Sequence, residues 1–270
     1  MKISTETGAA RRSTLLSGAA AAALIAATTT AAALAGTASA DEAPSTTGCS
    51  IVAHVGDSTS VGMTDPATLP DEADRMVEQY KSVAGVQEVR DDSVVGRGVL
   101  EPGQGTTSGE AALQAAAAAS PAPDCYVVAL GTNDAANIKG GSAANAADRI
   151  AKVLAVTGDK PVIWPTVKVS EMTGFASAAA EFNTALSSAA AEHPSLKVLD
   201  WASTASEDML ASDGMHYTAE GTKARVKAIA AALAQLRQNP PASDPAAPSA
   251  PSTSGDGDGT TLPGTTYYNW

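Results

Sequence analysis

The chain has 270 residues and a formal net charge of −12, with 17 basic side chains against 29 acidic ones. An acidic protein with few clusters of Lys and Arg is a poor ligand for nucleic acid or for an anionic membrane surface, so neither is expected as a partner. Acidity favours solubility outside a cell and says little more about function.

The first 40 residues have the pattern of a secretory signal peptide. Lys2, Arg11 and Arg12 supply a charged start, an Ala- and Leu-rich run follows, and a small-x-small cleavage site ends at Ala40. The apolar run is short and rich in Ala and Thr, so it does not predict stable membrane insertion. We therefore expect a secreted or extracytoplasmic protein, cleaved after Ala40 and exported by the Sec or the twin-arginine route.

The composition changes again near the C-terminus. Residues 239–270 are dominated by Pro, Ser, Gly and Asp, and such a segment cannot offset the entropy lost on ordering. We predict a disordered tail there. Residues 41–238 then remain for one folded domain, a natural length for a single α/β unit.

Apolar, β-branched runs alternate with helical patterns along this domain. Strands are predicted over 51–55, 86–89, 126–130, 161–167 and 196–201, and helices over 71–82, 109–119, 143–156, 175–192 and 218–236. Strands separated by such helices form right-handed βαβ crossovers, and their continuous hydrophobicity fits a sheet buried on both faces. The expected fold is α/β, a three-layer α/β/α sandwich with a parallel sheet of about five strands. Its functional groups should follow the carboxyl ends of the strands.

Two cysteines precede two of these strands. Cys49 lies just ahead of the strand at 51–55, and Cys125 lies just ahead of the strand at 126–130. If the two strands are parallel neighbours, both sulfur atoms lie at the same edge of the sheet, and export provides an oxidising compartment. We therefore predict a Cys49–Cys125 disulfide.

Only three histidines occur, which limits the choice of a general base. His54 lies within the first strand and is expected in the core, whereas His193 is expected at the surface near a helix end. His216 lies in the polar turn SDGMHYTAEG, with Asp213 three residues before it. A carboxylate at that spacing can accept a hydrogen bond from Nδ1 of the imidazole and leave Nε2 free to take a proton from a hydroxyl group.

The hydroxyl candidate is Ser58, in the stretch IVAHVGDSTSVGM. It directly follows the first strand and is expected to open the next helix, where its N–H points toward the rim of the sheet. Gly56 is expected to let the backbone turn sharply before it. The alternative role of Ser58 is that of a helix N-cap.

Four short blocks resemble the motifs of the SGNH (GDSL-type) hydrolase family. They are GDS at 56–58, VVGRG at 94–98, GTND at 131–134 and DGMH at 213–216. They occur in the family's order, and the G-x-S-x-G elbow of ordinary α/β-hydrolases is absent from the sequence. Two further stretches, VLDWAS and EFNTAL, are similar to secreted actinobacterial members of the family and to the catalytic domains of some peptidoglycan O-acetyltransferases. The resemblance implies a flavodoxin-like fold.

The same resemblance implies a catalytic triad. Ser58 is then the nucleophile, His216 is the general base and afterwards the acid, and Asp213 orients His216. Asp57 and Asp134 lie within the GDS and GTND blocks. Asp57 is expected to brace its loop and Asp134 to have a structural role, rather than to take part in chemistry.

The resemblance also implies an oxyanion hole. Its donors are the N–H groups of Ser58 and Gly96 and the side-chain amide of Asn133. Gly98 is the alternative to Gly96 within the GRG block, and Asn133 has the alternative role of shaping its turn.

Three further side chains have open roles. Trp201 and Met215 could wall an acyl pocket or belong to the core. Arg97 could meet an anionic or carbohydrate substrate or simply lie at the surface.

These features predict a secreted serine esterase that removes O-acyl groups, with O-acetyl the favoured case, from a glycan or lipid of the cell envelope. The alternatives are an O-acyltransferase that uses the same triad on a glycan hydroxyl and a non-catalytic glycan-binding module. No metal and no cofactor are implied, because the sequence has no H-E-x-x-H motif, P-loop or Rossmann glycine fingerprint. The oligomeric state is left open.

Overall fold

A computed structural model describes residues 48–104 and 107–238 of the protein. The predicted signal peptide and the predicted tail therefore lie outside the described residues. Within them, one parallel sheet has the strand order β2-β1-β3-β4-β5. Its strands are β1 (Ile51–Gly56), β2 (Glu88–Ser93), β3 (Cys125–Ala129), β4 (Val162–Pro165) and β5 (Leu196–Leu199).

Eight α-helices and three short 3₁₀ helices accompany the sheet in the described residues. The α-helices are α1 (Ser58–Val61), α2 (Met76–Ala84), α3 (Gly109–Ala117), α4 (Thr132–Lys139), α5 (Ala146–Thr157), α6 (Ala176–Glu192), α7 (Trp201–Thr204) and α8 (Ala219–Gln238). The 3₁₀ helices are Glu72–Asp74, Glu171–Thr173 and Glu207–Met209. None of the helices in the described ranges is both long and apolar enough to cross a membrane.

The sheet is buried between two helical layers, which confirms the predicted three-layer sandwich. On one face, β1, β3 and β4 pack through Val52, Val127 and Ile163 against α2 and α8. On the other face, α3, α5 and α6 cover the sheet around Trp164 and Phe182. Strands β1, β3 and β4 therefore bury both of their faces, as their continuous hydrophobicity indicates.

Local capping groups fix where several helices begin and end. The side chain of Asn145 accepts a hydrogen bond from the N–H of Asp148 while the Asp148 carboxylate accepts from the Asn145 N–H, a complete capping box for α5. The side chain of Ser108 caps α3. Gly85 ends α2 with a φ of 67°, a left-handed conformation that glycine adopts at little cost.

Strand β2 differs most from its predicted position. It runs from Glu88 to Ser93 rather than over 86–89, and all six of its residues are partly or fully exposed. Because β2 is an edge strand, its sequence EVRDDS need not be apolar, and charged residues at an edge also discourage pairing with another chain. The hydrophobic pattern therefore predicts only the first residues of β2.

The strand order places a topological switch point between β1 and β3. The chain leaves β1 toward β2 on one side, whereas β3 leads to β4 on the other. Open α/β sheets bind their ligands in the crevice beyond the carboxyl ends of strands at such a point. The segments that follow β1 and β3 carry Ser58 and Asn133, so the topology brings these two residues to this crevice.

The opposite end of the same strand pair holds a disulfide. Cys49 and Cys125 are joined, with a Cα–Cα distance of 5.3 Å, and both side chains are buried. Val52 is in register with Cys125, so the bond links β3 to the residues that lead into β1.

Candidate active site

Ser58, His216 and Asp213 form a continuous line of hydrogen-bonding groups at the rim of the sheet. The Nε2 atom of His216 lies 2.8 Å from the Oγ atom of Ser58. On the other side of the ring, Nδ1 lies 2.6 Å from Oδ2 of Asp213. If Nδ1 carries the ring proton, it donates to the carboxylate and Nε2 is free to accept the proton of the serine hydroxyl.

Asp213 is held in place by its own turn. Its Oδ1 atom accepts hydrogen bonds from the backbone N–H groups of Met215 at 2.9 Å and His216 at 3.0 Å. The hydrogen bond with the His216 side chain, followed by these two backbone bonds, lowers the pKa of Asp213 to about 2. The carboxylate is therefore ionised at neutral pH and well below it.

The segment that carries His216 is pinned on two sides. Leu210 and Tyr217 form an isolated antiparallel bridge, and the Ala211 N–H donates to the His216 carbonyl at 2.7 Å. The Ser170 N–H donates to the carbonyl of Gly214, also at 2.7 Å. Gly214 has a φ of 70°, and a Cβ atom there would lie 2.8 Å from Ser170 Cβ, so this turn requires glycine.

The turn that carries Ser58 is fixed by its neighbours. Asp57, not Ser58, is the N-cap of α1, and its side chain accepts hydrogen bonds from the N–H of Thr59 at 2.8 Å and from its hydroxyl at 2.6 Å. The N-cap role considered for Ser58 is therefore wrong, and Asp57 braces the turn as expected. Ser58 is the first residue of α1, where backbone N–H groups have no acceptor within the helix.

Gly56 is needed for a reason other than the predicted one. It is not among the glycines with a positive φ, so the turn does not depend on its conformational freedom. A Cβ atom at position 56 would instead lie 2.6 Å from Cβ and Oγ of Ser60 and 2.8 Å from Oγ of Ser93. Glycine thus allows α1 to fold back closely over the end of β1.

Three potential oxyanion donors follow β1, β2 and β3. Asn133 lies in the first turn of α4, and its Nδ2 atom donates to the carbonyl of Arg97 at 3.1 Å, which leaves a second amide hydrogen. Gly96 has a φ of 80°, and within the described residues its N–H has no hydrogen-bond acceptor. The Gly98 N–H is already bonded to the Glu101 carbonyl at 3.0 Å. The geometry thus favours Gly96 over Gly98.

The side chain of Arg97 is buried and engaged by other parts of the chain, so it is not available to a substrate and does not lie at the surface. Its side chain is 1% exposed. It donates to the carbonyl of Thr107 and to the carbonyl and carboxylate of Asp92, so that it ties the end of β2 to the segment before α3. Both roles considered for this arginine are wrong. Its guanidinium instead fixes the loop that presents Gly96.

Asp134 anchors the start of α4 from below. Its Oδ1 atom accepts from the N–H of Val99 and from Arg149, each at 2.8 Å. Burial raises the pKa of Asp134 to about 6, against these two hydrogen bonds, so the carboxylate is charged at neutral pH. Arg149 also binds Glu101, and this buried cluster connects the Gly96 and Asn133 loops.

The other residues that the sequence analysis considered lie in the core or at a helix end and are not part of the triad or the oxyanion hole. His54 is buried between the hydroxyl groups of Tyr80 and Ser60, and its pKa is lowered to about 3, mainly by burial. Trp201 is also buried, and Met215 packs against the core from a partly exposed position. His193 is the exposed C-cap of α6. The core alternative therefore holds for Trp201.

The described ranges contain no group of three or more His, Cys, Asp or Glu side chains that could hold a metal ion. What the site does contain is a hydroxyl, an imidazole and a carboxylate in hydrogen-bonded sequence, beside N–H donors from three loops. Such an arrangement can attack an ester carbonyl and stabilise the oxyanion that forms.

Comparisons with known proteins give the same picture. Residues 54–224 match the sequence model of the GDSL-like Lipase/Acylhydrolase family. A protein described as an arylesterase from Agrobacterium tumefaciens str. C58 is 25% identical with a TM-score of 0.53, and the alignment covers 70% of this chain and 98% of that one. The lipase/acylhydrolase from Enterococcus faecalis is 17% identical with a TM-score of 0.53, over 72% of this chain and 99% of the other.

A third solved structure, the carbohydrate acetylesterase Est24 from Sinorhizobium meliloti, is 18% identical with a TM-score of 0.51, over 69% of this chain and 99% of that one. No curated protein was found to be significantly similar in sequence. The family match spans well over half of the chain and includes all four motif blocks. The chain therefore belongs to the GDSL-like lipase/acylhydrolase family, the SGNH hydrolases, and is a serine ester hydrolase.

Proposed function

We propose that the protein is a secreted serine esterase that removes O-acyl groups, with O-acetyl the favoured case, from a glycan or lipid of the cell envelope. The observation that carries the proposal is the Ser58–His216–Asp213 line, with contacts of 2.8 Å and 2.6 Å. A serine nucleophile with an oriented imidazole splits ester hydrolysis into acylation and deacylation.

The reaction begins when Ser58 Oγ attacks the ester carbonyl and passes its proton to His216 Nε2. The negative charge that develops on the carbonyl oxygen is stabilised by the N–H groups of Ser58 and Gly96 and by the amide of Asn133. Asp213 stabilises the imidazolium through Nδ1. The imidazolium then gives its proton to the leaving alcohol, and a water molecule, deprotonated by the same imidazole, releases the acyl group from Ser58.

The exposure of the site supports a substrate ester that joins a small acyl group to a large alcohol. The side chains of His216 and Asp213 are 39% and 46% exposed, so the reaction centre lies at the surface rather than in a deep tunnel. Two clefts of about 510 and 480 Å³ lie along β5, and no triad residue lines either one. An acetyl group needs little room at such a rim, and the remainder of a polymer can project outward.

Two further observations agree with the proposed location and substrate. A buried disulfide is typical of proteins that fold in an oxidising compartment, which fits the predicted export. The carbohydrate acetylesterase from Sinorhizobium meliloti has a similar fold at 18% identity, which supports an acetylated carbohydrate as the proposed substrate.

The proposal is tested by active-site labelling and by product analysis. A fluorophosphonate probe should label the wild type and a Ser203→Ala variant, which lacks an exposed hydroxyl on α7, but not Ser58→Ala. Incubation with acetylated envelope glycan should release free acetate. If the acetyl group is transferred to an added glycan and less acetate is released, the protein is an acyltransferase. If the wild type neither releases acetate nor is labelled by the probe, the binding-module alternative is favoured.

A further inference from the structure

A buried arginine lies behind the proposed active site, on a helix that carries none of the motif blocks. Arg225 belongs to α8 and is 5% exposed. It continues the buried stripe of Ile229 and Leu233 at a spacing of four residues, so it occupies a position where a helix normally places an apolar side chain. The family match ends at residue 224, just before it.

Arg225 holds the turn of the nucleophile. Its Nη1 atom donates to the carbonyl of Thr59 at 3.2 Å and to the Thr59 hydroxyl at 2.8 Å. That hydroxyl in turn donates to Oδ1 of Asp57 at 2.6 Å. The guanidinium of Arg225 therefore binds Thr59, the residue after Ser58, directly, and it contacts Asp57, the residue before Ser58, through the Thr59 hydroxyl.

The same guanidinium also contacts the segment of the general base. Its carbon atom lies 5.3 Å from the centroid of the Tyr217 ring, within the range of a cation–π interaction. Tyr217 directly follows His216 and pairs with Leu210 across the base of that segment. The Tyr217 hydroxyl accepts a hydrogen bond from Trp201 Nε1 at 2.8 Å, which fixes the ring beneath Arg225.

We infer that Arg225 is a positioning residue of the proposed esterase site, joining the Ser58 turn to the His216 segment and offsetting the negative charge of Asp57. The inference rests on the proposed function. Arg225 does not touch the reacting atoms. It acts through Thr59 and Tyr217, the neighbours of Ser58 and His216.

Charge gives this arginine a second effect. Within the described part of the chain, Asp57 Oδ2 and Arg225 Nε are buried without hydrogen-bond partners, and Arg225 forms no salt bridge with a carboxylate. Burial raises the pKa of Asp57, while its bonds with Thr59 and the charge of Arg225 oppose this. Asp57 precedes the nucleophile directly, so an uncompensated carboxylate there would repel the oxyanion that forms beside the Ser58 N–H.

The test compares Arg225→Met, Arg225→Lys and Thr59→Val in the full chain with p-nitrophenyl acetate as substrate. Arg225→Met should lower kcat by about tenfold to a hundredfold, with KM within about threefold of wild type, because a small misplacement of reacting groups slows chemistry more than binding. The rate of fluorophosphonate labelling at Ser58 should fall in parallel. Arg225→Lys keeps the positive charge but lacks the guanidinium that donates both hydrogen bonds to Thr59. Its kcat should therefore lie between that of the wild type and that of Arg225→Met.

Arg75→Met is the matched control, because Arg75 likewise holds a loop through two hydrogen bonds, to the carbonyls of Leu69 and Pro70. It should lower Tm without changing kcat. If Arg225→Met does not fold, Arg225→Lys and Thr59→Val carry the test.

Variants that fold with kcat and labelling rate within twofold of wild type, or a loss no larger than that of Arg75→Met, would overturn the inference. A wild type that is inert and unlabelled would refute the proposed function itself, which keeps the two failures distinct.

Discussion

Nε2 of His216 lies 2.8 Å from Oγ of Ser58, although 158 residues separate them in the chain. Ser58 follows β1 and opens α1, whereas His216 lies in the segment between the last 3₁₀ helix and α8. Since parallel strands end at one rim, the two residues meet without any unusual backbone path. The first three predictions each change one residue of this site, and the fourth concerns a buried histidine behind it.

Asp213→Asn should lower kcat by up to about 10⁴-fold, by analogy with the corresponding change in serine proteases. An amide at this position can donate to Nδ1 and so stabilise the wrong tautomer of His216, and it cannot stabilise the imidazolium by charge. Steady-state kinetics with p-nitrophenyl acetate measure the effect. Asp208→Asn, on a nearby exposed 3₁₀ helix, is the control and should keep wild-type activity. Retention of a tenth or more of the activity by Asp213→Asn would show that another group orients His216.

Asn133→Ala should lower kcat by roughly 10²–10³-fold, the usual cost of losing one oxyanion donor. The fold should persist, because α4 remains anchored through Asp134 and Arg149. Asn137→Ala, one turn further along α4, is the control and should affect activity little. A loss of tenfold or less in Asn133→Ala would assign the side chain to its hydrogen bond with the Arg97 carbonyl alone.

A comparison of Gly96→Ala with Gly141→Ala should distinguish the effect of backbone strain on stability from the effect of Gly96 on catalysis. Both glycines have a positive φ, of 80° and 95°, and a Cβ atom at either site would meet nothing within 4 Å. Each substitution should therefore destabilise the fold by a similar amount, on the order of 1 kcal/mol. Only Gly96→Ala should also lower kcat, because a shifted backbone moves an oxyanion N–H. Equal kcat values in the two variants would remove Gly96 from the oxyanion hole.

His54 should make stability depend on pH in the acidic range. Burial, followed by the charge of Arg225, lowers its pKa from the ordinary 6.5 to about 3. Between these two values the unfolded chain binds a proton that the folded protein refuses, so stability is lost as pH falls, by at most about 1.4 kcal/mol per pH unit. Above about pH 6.5, His54 is neutral in both the folded and the unfolded chain, so its titration no longer lowers the stability.

His54→Gln removes this titration and leaves the other groups in place. The difference in unfolding free energy between wild type and variant, measured by urea denaturation, should therefore narrow from about pH 7 to about pH 4.5. The subtraction cancels the opposite contribution of Asp134, whose pKa is raised. A difference that stays constant over this range would mean that His54 is not held neutral by the fold.

Sequence periodicity predicts the sheet well where strands are buried on both faces, and less well at an edge. The runs around Val52, Val127 and Ile163 are apolar because helices cover them from both sides. Strand β2 is polar since one of its edges has no partner strand, and the four-residue helices α1 and α7 are too short for a periodic signal.

Some residues of the site can likewise be predicted from the sequence, and others cannot. Motif spacing suffices to place Ser58, Asp213 and His216, because short-range turns and strand ends determine where they lie. Long-range contacts determine the positions of Arg97 and Arg225, whose partners at Asp92, Thr107 and Thr59 no local pattern indicates. A cation on the apolar stripe of α8 was the one sequence signal for Arg225.

The central claim is that Ser58 carries the acyl group during turnover, and mass spectrometry of the acid-quenched enzyme tests it most directly. Shortly after mixing with an excess of an activated acetyl ester, a fraction of the intact protein should gain the mass of one acetyl group. Peptide mapping should place that group on Ser58, and the adduct should be absent from Ser58→Ala. Release of acetate at the wild-type rate by Ser58→Ala, or an adduct on a different residue that turns over at the catalytic rate, would contradict the account.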